Sequence, residues 1–239
     1  MNEKFSEVFL GYHIAVGGKE LCINSIVEWI WNSHGCRWLC CTNPHSYVEA
    51  LKNPEFSKAM KEADWLIPDG VGIVLASRFL KGNVRERVTG SDIFGGVQEH
   101  LNKLGDVSVF FLGSTREILE KIQIRMECDY PKIRVSGTYS PLFKSDFSYE
   151  ENENMVAAIN AAAPDVLWVG MTSPKQDIWI FRNYQRLNVK FAAGIGAVFD
   201  FYAGNVKRPH PLFQRIGLEW LQRLIQEPRR LWKRTCISA

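Results

Sequence analysis

A chain of 239 residues with 46% hydrophobic content is long enough to bury one substantial core, and one catalytic domain with an appendage is the economical organisation. The formal charge of +3 is mild but lopsided: residues 205–239 hold eight Lys/Arg against Glu219 and Glu227, a local +6 that leaves −3 on the rest. No run reaches the length of a membrane span, and the first residues, broken by Glu3, Lys4 and Glu7, lack the apolar centre of a signal peptide, so membrane contact is expected to be peripheral. Six cysteines show neither CxxC pairing nor the His pair that zinc needs, which predicts mostly buried, reduced thiols on the cytosolic side.

Short apolar runs alternate with helical patterns along the chain, as in a layered α/β domain with a mostly parallel sheet. Residues 8–16 read as an extended segment ending at Gly17-Gly18, and 21–31 as the first helix. A strand is expected over 37–41, then one helix from Asn43-Pro44 to about Lys61. The short strand Trp65-Leu66-Ile67 runs into Asp69, with glycines 70 and 72 placed to let a substrate approach the backbone. Residues 71–80 are helical, and Ser91 or Asp92 is expected to cap a helix reaching Leu104. Strands over 107–112, 133–139, 166–169 and 190–193 alternate with helices over 115–127, 150–162 and 174–187, with an irregular loop at 139–149.

On a helical wheel, residues 212–226 place Arg215, Glu219, Gln222, Arg223 and Gln226 on one arc and Leu212, Phe213, Ile216, Trp220, Leu221, Leu224 and Ile225 on the other. So wide an apolar arc suits burial against the domain, a lipid interface, or both. Pro228 stops this helix, and residues 229–234 add basic side chains around Trp232. The expected division is therefore a catalytic domain over 1–204 and a basic, membrane-associating helical appendage over 205–239. A dimer or trimer that buries the apolar surface when the tail is displaced is compatible with this pattern.

Several polar residues fall at predicted strand ends, where α/β enzymes place their chemistry. Asp69 is either a helix N-cap or a general base. Asn43 can cap its helix, bind a sugar hydroxyl or acetamido group, or do both. Arg87 has the fork that suits a leaving diphosphate, with an ordinary surface pairing to Glu86 or Asp92 as the alternative. Gln176 opens a helix whose free N–H groups attract an anion or a sugar oxygen. Gly113 and Gly170 stand at two further strand ends, and Asp200, among apolar neighbours, is set to accept from a backbone group, a nucleobase or a ribose. The chain contains no Asp-x-Asp, the carboxylate pair that usually holds a divalent ion on a nucleotide diphosphate.

Asn43-Pro44-His45-Ser46, Pro68-Asp69-Gly70, Arg87-Val88-Thr89-Gly90, Gly170 through Gln176, and Gly194 through Phe201 occur in this order, and together they resemble the WecG/TagA/CpsF glycosyltransferases, glycosyltransferase family 26. The resemblance runs from about Val8 to Lys233. It implies a Rossmann-like GT-E type fold and inverting, metal-independent transfer from a UDP-sugar, first choice N-acetylmannosamine, to an undecaprenyl-diphosphate-linked saccharide of cell-surface polysaccharide or teichoic acid. The site would be peripheral, at the cytoplasmic face of the bacterial plasma membrane. By the same resemblance Asp69 is the base, and Arg87 with tail arginines, best Arg215, Arg223 and Arg229, meets the diphosphate. Asn43, Gln176 and Gly90 contact substrate, and Gly113, Gly170 and Asp200 border the UDP moiety. The family usually has threonine two positions before the asparagine. Here Cys41 stands there, with Thr42 next to it, and either would be a weaker partner for the substrate.

UDP-hexose or UDP-hexuronate donors remain alternatives. Of the rivals from other classes, a Rossmann-type redox module lacks its Gly-x-Gly-x-x-Gly after the early strand. A nucleic-acid binder would rest on basic charge confined to one helical end, a thin footprint.

Overall fold

The computed structural model describes residues 5–32 and 34–206. It opens with a hairpin, β1 (Ser6–Phe9) antiparallel to β2 (Tyr12–Ala15), with Phe9 opposite Tyr12. Leu10 and Gly11 between them both have positive φ, 53° and 80°, which matches the two-residue turn that strand twist favours. The segment expected to be simply extended therefore doubles back.

After α1 (Gly18–Asn32) and β3 (Arg37–Thr42), the single helix expected up to Lys61 is two helices, α2 (Pro44–Lys52) and α3 (Pro54–Glu62). Pro54 has no N–H to continue the α2 ladder. Asn53 closes α2 by donating its N–H to Glu49 O and starts α3 by accepting Phe56 N–H on its side chain at 3.1 Å. The chain continues through β4 (Trp65–Pro68), α4 (Val71–Phe79), α5 (Gly90–Leu104), β5 (Val107–Gly113), α6 (Arg116–Asp129), β6 (Ile133–Tyr139) and α7 (Tyr149–Ala162). It ends in β7 (Val166–Gly170), α8 (Lys175–Asn183), β8 (Phe191–Gly194) and α9 (Val198–Tyr202). Thr89, rather than Ser91 or Asp92, caps α5: its hydroxyl accepts from Asp92 N–H, while the Asp92 carboxylate takes the Thr89 N–H at 3.0 Å. Asp92 is thus the far half of a capping box.

Strands β3 to β8 form one parallel sheet in the order β4-β3-β8-β7-β5-β6. Helices α1, α5, α6 and α9 pack on one face against Leu39, Ile67, Phe111, Trp168 and Phe191; α2, α3, α4, α7 and α8 pack on the other against Trp38, Leu66, Leu112, Leu167 and Val169. Coverage on both sides explains why β5, β7 and β8 are buried at every residue and read as continuous apolar runs. Edge strand β6 is mostly half-buried, whereas β4 at the opposite edge is fully buried. Phe9, Tyr12 and Ile14 of the hairpin join the core beside it.

This is a Rossmann-like α/β layering, and its topology marks a crevice. The chain leaves β5 through α6 toward β6 and leaves β7 through α8 toward β8, so the connections diverge from two neighbouring strands. Ligands bind at the carboxyl ends of such strands. All six carboxyl ends lie along one edge, which lines up the residues after Thr42, Pro68, Gly113, Tyr139, Gly170 and Gly194.

Candidate active site

At the β3–β4 end, Thr42 pairs with Pro68, and the N–H of Asp69 donates to Thr42 O at 2.8 Å, so Asp69 leaves the sheet beside Asn43. The cap position of α4 falls on Gly70, and no side chain caps that helix. Asp69 is therefore not its N-cap. Its side chain is half-buried at the edge. The glycines that follow are required by packing: a β-carbon at Gly70 would stand 3.0 Å from Asn43 Cβ, and one at Gly72 would stand 2.6 Å from Pro44 Cγ. They let the start of α4 close onto Asn43-Pro44.

Arg87 reaches the same place from a distant part of the chain. Val88 N–H donates to Pro68 O at 3.1 Å, which lays the 86–90 segment alongside the end of β4 and makes Arg87 and Asp69 neighbours across it. A residue with no sequence signal holds that segment's approach. The Glu7 carboxylate on β1 accepts from Asn83 N–H at 2.7 Å, from Val84 N–H at 3.2 Å and from the Ser77 hydroxyl at 3.2 Å, fixing the turn between α4 and Arg87. Gly90, the first residue of α5, is buried against Ile195, 3.6 Å from where its β-carbon would lie.

Asn43 closes a capping box on α2, its Oδ1 accepting Ser46 N–H at 3.0 Å while Ser46 Oγ accepts the Asn43 N–H at 2.7 Å. That leaves the amide nitrogen as the group able to serve a ligand. Thr42, only 2% exposed, has its hydroxyl 3.4 Å from Ser46 Oγ, so it belongs to the cap rather than to the cleft wall. The Cys41 thiol donates to Gly194 O at 3.8 Å, tying β3 to the end of β8. Burial, with the carboxylates of Asp69 and Asp177 nearby, pushes its pKa well above the ordinary thiol value.

At the crevice proper, Gly113 and Gly170 are paired across β5 and β7. Gly113 has φ +115°, and a β-carbon there would lie 2.6 Å from Gly170 O; a side chain at Gly170 would run into the Phe199 ring. Both glycines are required by their neighbours, and they end the two strands from which the connections diverge. Gln176 and Asp177 lie in the first turn of α8, 4% and 1% exposed, beneath the Gly194–Gly196 turn. The Asp177 carboxyl accepts from Ser173 Oγ at 2.7 Å and from the Cys40 thiol at 3.5 Å, and burial pushes it up to about 6. Asp200 is half-buried on α9, whose Val198 and Phe199 enter the core beside β7 and β8.

A separate cleft of about 560 Å³ lies between α3, α7 and α8. Its Arg182 is held bidentately by Glu55 at 2.7 and 2.8 Å, so its charge is already met within the protein. Among the described residues, no group of three or more His, Cys, Asp or Glu side chains is placed to hold a metal ion.

The order of the strand ends, the capped Asn43-Pro44 start and the approach of the 86–90 segment to the end of β4 coincide with a family match. The model of the glycosyl transferase WecG/TagA/CpsF family matches residues 8–239. The chain belongs to this family. It is a glycosyltransferase. Relatives include proteins named N-acetylglucosaminyldiphosphoundecaprenol N-acetyl-beta-D-mannosaminyltransferase from Bacillus subtilis, 31% identical over 80% of this chain and 72% of the relative, and from Bacillus spizizenii, 29% identical over 82% and 74%. A Staphylococcus aureus protein of the same name is 27% identical over 82% of this chain and 73% of its own length.

The structure thus brings Cys41, Asn43, Asp69 and the Arg87 segment to the β3–β4 end of the edge, Gly113 and Gly170 to the β5–β7 end, and Gln176 beneath the Gly194–Gly196 turn, with Gly90 against Ile195 and Asp200 half-buried on α9. Arg215, Arg223 and Arg229, with the amphipathic appendage proposed over 205–239, lie outside the described residues beyond Val206. Among the described residues, no helix is long and apolar enough to cross a membrane.

Proposed function

We propose that this glycosyltransferase moves a sugar from a UDP-sugar, with inversion and without a divalent ion, onto a saccharide carried by undecaprenyl diphosphate at the cytoplasmic face of the membrane. The observation that supports this reading is the meeting of two sequence-distant segments at the end of β4, where the 86–90 segment bonds to Pro68, the residue before half-buried Asp69. Asp69 removes the proton of the acceptor hydroxyl as that oxygen attacks the anomeric carbon. Arg87, joined by arginines of the C-terminal segment, neutralises the charge left on the departing diphosphate, a task the absence of Asp-x-Asp leaves to cations and helix ends. Asn43 offers its amide nitrogen to a sugar, Gln176 and Gly90 shape the sugar-binding wall, and the Gly113/Gly170 floor with Asp200 receives the nucleotide.

N-acetylmannosamine is the first donor to test because three relatives carry it in their names, with acceptors built on N-acetylglucosaminyl diphosphoundecaprenol. UDP-hexoses and UDP-hexuronates are the competitors in the same assay. With a synthetic lipid-diphosphate acceptor, Asp69→Asn is expected to lower kcat by about 10²–10⁴ with a donor KM within a few-fold of wild type. Near-normal turnover in that variant, with activity abolished in Arg87→Ala, removes Asp69 from its role.

A further inference from the structure

Helix α4 leaves the end of β4 two residues after Asp69 and runs over Val71–Phe79. Its buried residues are Ile73, Val74 and Ser77. At about 100° per residue, the opposite arc carries Val71, Gly72, Leu75, Ala76 and Phe79, without a polar side chain among them. Leu75 is 56% exposed and Phe79 87%, and Leu80, which ends the helix, is exposed as well. A surface helix ordinarily turns charged groups to water on its outer side, so an apolar outer face marks an interaction site.

The surrounding charge selects what that face meets. Between Asp69 and Glu86 the chain has three cations, Arg78, Lys81 and Arg85, all exposed, and no acidic residue. Pairing this face with a second copy of itself would bring two such sets of cations together. The C-terminal segment is no better matched. Residues 205–239 carry +6, and they leave the described chain beside α6, where Lys121 donates to Asn205 Oδ1 at 2.8 Å, on the opposite face of the sheet from α4. An anionic lipid surface satisfies both halves of the pattern, with acyl chains for Leu75 and Phe79 and headgroups for the cations.

We propose that the Leu75–Phe79 face of α4 is a bilayer-docking surface, which enters the boundary between headgroups and acyl chains of an anionic leaflet and sets the height of the catalytic edge above it. The proposal rests on the glycosyl-transfer reading for its lipid-linked acceptor and names the surface by which that acceptor is approached. The start of α4 is fixed to the edge, because Gly70 and Gly72 pack directly on Asn43 and Pro44. The nine residues of the helix span about 13 Å, so a bilayer that takes up Phe79 lies within about that distance of the end of β4, where a lipid-borne diphosphate can be met. The face is small and acts together with the basic tail, since one weak membrane signal gives marginal binding and stable attachment takes two.

An environment-sensitive fluorophore tests this in the full-length protein. Cys36, Cys128 and Cys236 are changed to Ser, and nitrobenzoxadiazole is attached at Phe79→Cys or, as a control on exposed α6 surface, at Glu120→Cys. Phosphatidylglycerol vesicles should blue-shift and brighten the probe at 79, and spin-labelled lipid should quench it, while the probe at 120 does neither. Leu75→Gln/Phe79→Gln should lower the apparent affinity for these vesicles about tenfold with an unchanged melting temperature, the scale of two apolar side chains kept in water. Its turnover should fall about tenfold with an acceptor embedded in vesicles and stay within about twofold of wild type with a short-chain, water-soluble acceptor.

A probe at 79 that vesicles leave unchanged overturns the docking face, as does wild-type vesicle affinity in the double variant. An equal response at 120 reports adsorption without orientation and overturns it as well. A probe at 79 already shifted before lipid is added also overturns it, in favour of a second copy if the shift grows with protein concentration and of the C-terminal segment if it does not. Failure of every acceptor to react counts against the glycosyl-transfer reading alone, since the fluorescence needs no turnover.

Discussion

Cys41 is surrounded by groups that keep it a thiol: its hydrogen is directed at Gly194 O, and Asp69 and Asp177 add negative potential to a buried site. The thiolate is the form that alkylates. Mass spectrometry after brief iodoacetamide treatment at neutral pH should therefore find Cys128, exposed on α6, modified at least about tenfold faster than Cys40 or Cys41, a difference that vanishes in denaturant. Asp177 supplies a pH signature. Its folded pKa of about 6 lies above the ordinary value of 3.8, so the native state holds its proton over a range where the unfolded chain has lost it. Stability from this group is fully present below about pH 4 and is lost as pH rises through about 6, by an amount on the order of 2–3 kcal/mol. Urea denaturation at pH 4.5 and 7.5 should show Asp177→Asn gaining on the wild type at the higher pH. Equal differences at both pH values would contradict the buried-acid reading. Residue chemistry of this kind was only partly legible in the sequence. Asn43 and Asp69 draw notice by residue type at strand ends and Arg87 in the turn between α4 and α5, whereas Glu7 acts on backbone groups some seventy-five positions away and has no local pattern to betray it.

Among the elements, the interior strands were the easiest to read, because coverage on both faces turns them into continuous apolar runs. The helix boundaries were harder. Asn53-Pro54 carries a cap-and-proline signal that an unbroken helical period over 43–61 obscures, and Thr89 displaces Ser91 as the cap because Asp92 completes its box. Asn53→Ala should cost about 1 kcal/mol in urea unfolding, as loss of an N-cap does, with kinetics unaffected. Gly113→Ala should be worse than an ordinary strand substitution. It forces a side chain into φ +115° and toward Gly170 O, and a loss of about 2–4 kcal/mol, with weakened UDP binding, is expected in thermal unfolding with and without the nucleotide. By contrast, the Arg182–Glu55 fork between α8 and α3 is about half exposed, and Arg182→Ala should change stability by no more than about 1 kcal/mol.

For the whole molecule, the sequence carries −3 before residue 205 and +6 after it, and the proposed peripheral attachment to a bilayer is tested through that asymmetry. Replacing Arg229, Arg230, Lys233 and Arg234 together by Gln should release the protein from anionic vesicles in flotation, since each basic residue near the surface contributes about 1 kcal/mol. Retention at physiological salt would assign adsorption to apolar contacts instead. The strand order carries a consequence for biogenesis. β8 lies between β3 and β7, so the middle of the sheet is supplied by one of the last described segments to emerge during translation. Until Phe191–Gly194 is released from the ribosome, β3 with its partner β4 and β7 with its partners remain two half-sheets, each with an apolar flank open to other nascent chains. Chaperone demand should therefore persist until β8 emerges, and the cleft can form only after Phe191–Gly194 has left the ribosome.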